Sequence, residues 1–194
     1  SGGFLHAGVA ELTMASIMNG IILHGGMMAA CGTFFVFSDY MKPAIRMAAL
    51  MKLPVKYVFS HDAFRVGEDG PTHEPIEQEA QIRLLEEIRN EDGKPSVLVL
   101  RPADSAETTI AWEMALENKE TPTALILTRQ DVSDIPAVAG NRYSEAQGIR
   151  RGGYTVVDAP HPKVILVGNG SEVSLLCDVA TELEKEGIAS RVVS

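Results

Sequence analysis

The chain has 194 residues, 45% hydrophobic and 22% charged, a globular balance that excludes a disordered chain. Its 17 Lys and Arg against 26 Asp and Glu leave a formal charge of −9. That balance argues against a general nucleic-acid or acidic-lipid surface, so an anionic substrate would be drawn in by a few local cations. The two cysteines, Cys31 and Cys177, are far apart and lack metal-ligand spacing, which favours a reduced, cytoplasmic protein.

The chain opens Ser1-Gly2-Gly3 with no basic leader, so no secretory signal is read. Gly8 to Leu23 reads as a helix, with Leu12, Ile17, Ile21 and Met14, Met18, Ile22 at helical spacing, and Gly25-Gly26 stops it. No charged residue falls between Glu11 and Asp39. A membrane span would need about 20 mostly apolar residues without a break such as the double glycine. A buried helix followed by a buried strand, and no membrane, is the expectation. Met27 to Phe37 is a continuous apolar run suited to a strand covered on both faces. Asp39 to Lys52 reads as a helix with its charges matched to the helix dipole, and Val55 to Phe59 as a strand opened by Pro54. His61 to Pro75 is a loop. A charged helix over Glu77 to Glu91, a strand over Ser96 to Leu100, a helix over Ala106 to Asn118 and a strand over Thr123 to Thr128 follow. This alternation predicts an α/β fold with a doubly wound, mostly parallel sheet and helices on both faces.

From Asp131 to Pro162 the periodicity is lost among glycines and prolines, which marks a linker. A strand (Lys163 to Val167), a glycine turn, a helix (Val173 to Glu186) and a closing strand then start a second, partial α/β domain. The chain ends within that last strand, so a fragment of a longer protein is expected. The domains read as 1–130, a linker at 131–162, and 163–194.

In open α/β sheets functional groups gather on loops at the carboxyl ends of strands. The loop Ser60 to Pro75 is the densest such place, with His61, Asp62, Glu68, Asp69 and His73 among glycines that permit tight turns. Glu11 is the only carboxylate of an apolar helix. It reads either as a proton-holding group facing an apolar pocket or as a solvated first-turn residue favoured by the dipole. Phe34, Phe37 and Tyr40 are spaced to form an aromatic slot for a planar heterocycle, or simply to pack a core. Arg129, just past the last strand of the first domain, has the chemistry to clamp a phosphate; a surface arginine reads the same way.

Several stretches in order resemble the transketolase family. They are Gly32-Thr33-Phe34-Phe35-Val36-Phe37-Ser38-Asp39-Tyr40-Met41 with Pro43-Ala44-Ile45-Arg46, the loop Val66-Gly67-Glu68-Asp69-Gly70-Pro71-Thr72-His73, and Arg101-Pro102-Ala103-Asp104. Thr128-Arg129-Gln130 and Gly168-Asn169-Gly170-Ser171-Glu172-Val173 complete the set. The resemblance implies a pyrimidine-binding domain and the start of a carboxy-terminal domain. It also implies the cofactor thiamine diphosphate, with Mg²⁺ or another divalent cation held by a domain absent from this chain. The reaction implied is transfer of a two-carbon ketol unit between sugar phosphates, in a homodimer whose active site lies at the interface.

By the same resemblance Glu11 would bond the aminopyrimidine N1′ and favour its imino tautomer, and Phe34, Phe37 and Tyr40 would hold that ring. His73 would contact the donor's reacting oxygen, Asp69 a sugar hydroxyl, and His61 and Arg129 the substrate phosphate. No metal ligand is assigned here. The chain departs from the family at Ala10 and Leu12, where Arg and His are usual, at Arg65, where Gly is usual, and at Glu74, where Gln is usual. Deoxyxylulose-phosphate synthase shares the architecture, but its loop usually continues Thr-His-x-Gly where this chain has His73-Glu74-Pro75. A non-catalytic dimerisation or regulatory module that retains the fold is the reading from another class.

Overall fold

A computed structural model describes residues 3–62 and 65–194; Ser1-Gly2 and the loop residues Ala63-Phe64 lie outside the described residues. The chain divides into two compact units, the first comprising residues 1–100 and 118–126, the second 101–117 and 127–194.

The first unit runs α1 (Glu11–His24), β1 (Ala30–Phe34), α2 (Ser38–Leu50), β2 (Lys56–Ser60), α3 (Gln78–Glu87), β3 (Leu98–Leu100) and β4 (Thr123–Ile126). All its strand pairs are parallel, in the order β1-β2-β4-β3, giving the expected α/β sheet flanked by helices. The central strands are the most apolar: β4 is buried throughout, and β2 buries Tyr57 and Phe59. Around them pack Phe35, Met41, Ile45, Ile82, Val97 and Val99. Gly25, at φ +87° and ψ 165°, takes a positive-φ conformation open to glycine that ends α1, and its N–H donates to the Ile22 carbonyl at 3.0 Å.

Two expectations need correction. The apolar run at 27–37 is not one strand covered on both faces. The strand is only Ala30–Phe34, it lies at the sheet edge, and Met27 and Met28 are exposed. Phe35–Phe37 instead makes a 3-10 turn that leads straight into α2, whose first turn carries Asp39 at the positive end of the helix dipole. Likewise α1 is not a buried helix: only Ala15, Met18 and Asn19 are buried, while Leu12, Ile17 and Leu23 stand exposed. It is apolar on more faces than its neighbours in this chain cover.

A buried polar junction ties three elements together. Asn19 of α1 donates from Nδ2 to the Ala44 carbonyl of α2 at 2.8 Å and accepts at Oδ1 from the Tyr57 hydroxyl of β2 at 2.7 Å. Lys56, also buried, donates from Nζ to the Asn118 carbonyl at 2.9 Å.

The second unit holds α4 (Ser105–Glu117), α5 (Arg142–Ala146), β5 (Thr155–Val157), β6 (Val164–Val167), α6 (Glu172–Lys185) and β7 (Ser190–Val193). In its sheet, ordered β5-β7-β6, β7 pairs antiparallel with β5 and parallel with β6. Residues 131–162 thus hold α5, a 3-10 turn at Gln147–Arg151 and β5, elements too short for periodicity to register.

The apolar core of this unit is small: Ala103, Ile135, Val156, Val173, Ala180 and Val192. Buried ion pairs supplement it. Arg142 bonds Asp104 at 2.6 Å and Glu107 at 3.0 Å, and the Tyr154 hydroxyl donates to Glu107 at 2.7 Å. Arg101 forks onto both Glu172 oxygens at 2.9 and 2.8 Å and reaches Asn169 Oδ1 at 2.6 Å.

Replacing Asn19 with Leu leaves a buried hydroxyl and a buried carbonyl without their partner, and is expected to cost about 2–4 kcal/mol in urea unfolding. Adding Tyr57→Phe should recover part of the loss, because both partners of that bond are then apolar. Burial, with a smaller contribution from Lys119, pushes the Lys56 amine down to about 8. Between that value and the ordinary lysine range near 10.4, the unfolded state binds more protons than the folded one, so this group's contribution to stability rises with pH. Lys56→Met is therefore expected to be more stable than wild type near pH ~7, with the advantage shrinking toward pH ~10, as read from urea midpoints.

Candidate active site

The parallel register of β1 and β2 pairs Phe34 with Ser60, so the carboxyl ends of these strands lie side by side. His61 follows in the left-handed region at φ +58°, and its ring stacks on Phe34 with centroids 3.5 Å apart and planes 15° apart. The ring nitrogens are also engaged. Nδ1 lies 3.0 Å from the Ser60 hydroxyl and Nε2 3.9 Å from an Asp69 carboxylate oxygen.

The 3-10 turn and the first turn of α2 then line up three rings. Phe34 and Phe37 are 6.4 Å apart at 20°, and Phe37 and Tyr40 6.1 Å apart at 23°. His73 meets this row edge-on, 5.3 Å from Phe37 at 81° and 6.1 Å from Phe34 at 70°. Its Nδ1 lies 2.8 Å from the Thr72 hydroxyl. Edge-to-face approach is the favoured geometry between an aromatic face and the positive rim of another ring.

The chain segment before α1 contributes Gly8, at φ +66°, and Val9, and the helix contributes Glu11, its half-buried first residue. The resulting open cavity of about 640 Å³ is bounded by Gly8, Val9, Glu11, Thr33, Phe34, Phe37, Tyr40 and His73. It offers a carboxylate, an imidazole and a wall of near-parallel rings, suited to a planar heterocycle with a polar edge. Among the described residues no group of three His, Cys, Asp or Glu is arranged to hold a metal ion.

Of the residues singled out from sequence, Glu11, Phe34, Phe37, Tyr40 and His73 line one cavity, His61 stacks on its Phe34, and Asp69 approaches His61. Arg129 is exposed in the loop after β4 and is described with the second unit. Arg65 adopts φ +59°, a conformation that glycine takes without steric cost and a side chain only with strain. Thr33, Gly8 and Val9 were not foreseen, nor were Ser60 and Thr72 as partners of the two imidazoles. A hydroxyl residue immediately before each histidine is the signal the sequence offers for the last two. Among the described residues no helix is long and apolar enough to cross a membrane.

A parallel α/β sheet with an aromatic pocket at its strand ends, and a helix-borne carboxylate on the same cavity, has the chemistry to take a planar heterocycle. The family model for the transketolase pyrimidine-binding domain matches residues 1–134, and that for the transketolase-like C-terminal domain matches residues 152–194. A transketolase of Halalkalibacterium halodurans is 47% identical over 100% of this chain and 28% of its own length. The transketolase structure from Leishmania mexicana is 41% identical with a TM-score of 0.83, over 96% of this chain and 26% of that one. The Pichia stipitis transketolase in complex with sedoheptulose-7-phosphate is 40% identical with a TM-score of 0.83, again over 96% and 26%. The chain belongs to the transketolase family, and it spans little more than a quarter of the length of these relatives.

Proposed function

We propose that this chain forms the pyrimidine-binding half of a thiamine diphosphate site in a ketol-transferring enzyme acting on sugar phosphates. In this reading 1–130 is the pyrimidine-binding domain, 131–162 a linker and 163–194 the start of the carboxy-terminal domain. The observation that carries it is the Glu11 carboxylate lining the same cavity as the Phe34, Phe37 and Tyr40 rings and His73. The donor set fits an aminopyrimidine: flat apolar faces for its ring, and one carboxylate for a ring nitrogen. The bound cofactor supplies an electron sink for carbanion chemistry.

The chain's own residues then divide the remaining work. Glu11 holds a proton at its carboxylate against the pyrimidine N1′. The aromatic row orients the ring and excludes water from its face. His73, fixed edge-on to that row, moves a proton at its ring nitrogen to or from the donor's reacting oxygen, and Asp69 accepts from a sugar hydroxyl. His61 supplies a donor contact to the substrate phosphate, a local attraction that the net charge of −9 does not provide. The divalent cation, Mg²⁺ in this reading, is held outside this chain.

The exposed apolar residues of α1 together with Met27 and Met28 support a second subunit as partner. The two free thiols, Cys31 and Cys177, support a cytoplasmic setting. Neither the deoxyxylulose-phosphate synthase reading nor the non-catalytic module is favoured, since the relatives are named transketolases over the whole chain.

The test is ketol transfer from xylulose 5-phosphate to ribose 5-phosphate with thiamine diphosphate and Mg²⁺. The chain is joined to the diphosphate-binding domain of a transketolase relative. Turnover is expected, and Glu11→Gln is expected to lower it about a hundredfold or more, the size of a lost proton-transfer group. No turnover from a folded, dimeric assembly would overturn the reading. Calorimetry on this chain alone should find weak or no binding of thiamine diphosphate; tight binding would show that the diphosphate half is not required.

A further inference from the structure

His73 sits in a loop whose described residues hold one 3-10 turn and no other regular structure, yet its ring is fixed against two aromatic neighbours. On its N-terminal side the His73 N–H donates to the Gly70 carbonyl at 3.0 Å, closing a tight turn. On its C-terminal side the chain continues Glu74-Pro75-Ile76, with Pro75 buried. The proline ring fixes its own φ and restricts the residue before it, so this tripeptide transmits position rather than absorbing it.

The Ile76 N–H then donates to Oε1 of Gln78 at 2.8 Å. Nε2 of the same side chain donates to Oδ2 of Asp39 at 3.0 Å and, more distantly, to Glu77 at 3.3 Å. Gln78 is only 3% exposed. Its two main partners, an amide donor and a carboxylate acceptor, admit only one orientation of the side-chain amide. Asp39 lies in the first turn of α2, between Phe37 and Tyr40, and its other oxygen pairs with Lys42.

A glutamine that only started its own helix would need no partner on α2. This one joins the end of the His73 loop to the segment that carries the aromatic row. We propose that Gln78 is a positioning residue for His73: by holding Ile76 and Asp39 together it sets the place of the imidazole against Phe34 and Phe37. The role in catalysis rests on the function proposed above, whereas the clamp itself is a matter of geometry.

Gln78→Glu separates the two bonds. The new carboxylate still accepts from Ile76 but meets the Asp39 carboxylate with like charge. Adding Asp39→Asn restores a donor–acceptor pair with reversed polarity. The readout is the side-chain NMR of the five histidines in this chain, with His73 assigned through His73→Asn. In Gln78→Glu the His73 ring signals are expected to move toward those of the exposed His24 and His161, and in the double variant to return. Unmoved His73 signals in a folded Gln78→Glu chain would overturn the clamp, as would displaced signals in a double variant of wild-type thermal midpoint. Where Gln78→Glu does not fold, the double variant decides by the same criterion.

In the assembled enzyme, the Gln78→Glu substitution should lower kcat about tenfold or more with little change in donor KM, and the double variant should regain it. Displaced His73 signals with undiminished kcat would uphold the clamp and overturn the catalytic role of His73, so the two failures are distinguishable.

Discussion

The candidate site depends on one buried amide. Asn19 lies on α1 eight residues after Glu11, about two helical turns, and its two hydrogen bonds reach α2 and β2. Those two elements carry Tyr40 and lead to His61, so the junction relates the carboxylate, the aromatic row and the polar loop to a common frame. Burying an amide is unfavourable unless its donor and acceptor are both used. A hydrophobic residue here would pack, but it would leave the helix free to slide or rotate over an apolar surface that offers no directional contact. The paired Asn19 and Tyr57 thus specify position, and the surrounding apolar side chains supply the bulk of the stability. Burial raises the Tyr57 phenol, which keeps its hydrogen on the donor side of that bond.

The second unit solves the same problem with charge. Its apolar core is slight, and Arg142 gathers Asp104, Glu107 and Tyr154 around itself. Such a cluster adds little stability relative to a well-packed apolar one, but removing one member strands the others. The Arg101 clamp ties together two of the motifs that carry the resemblance. The first residue of Arg101-Pro102-Ala103-Asp104 holds Asn169 and Glu172 of the glycine turn. Gly170 takes φ +60°, and a Cβ there would fall 2.8 Å from the Arg101 Nε. The glycine is needed both for its backbone and for the space it leaves to the guanidinium.

Much of the site was legible because its residues lie on short segments whose order is fixed by the chain. The aromatic row spans Phe34 to Tyr40, the polar loop follows a strand, and Glu11 opens a helix. What spacing could not supply was the meeting of these segments. His61 reaches Phe34 because β1 and β2 pair in parallel with Phe34 beside Ser60, and because the chain turns left-handed at His61. Gln78 looked like one polar residue of a charged helix, and its link to Asp39 spans 39 positions of sequence. Arg129, chemically as apt as His61, is described with a different unit.

By itself the sequence determined the alternation of strands and helices, the parallel character of the main sheet, the glycine stop of α1, and the residue types capable of the chemistry. Each follows from local rules: side-chain period, backbone permissiveness and charge near helix ends. Only the tertiary structure decided that β1 is an edge strand preceded by the exposed Met27 and Met28, that α1 buries one narrow face, and that residues 131–162 contain α5 and β5. An apolar run records how much surface there is to cover, whereas which neighbours cover it is set by sheet order and register, made by residues far apart in the chain.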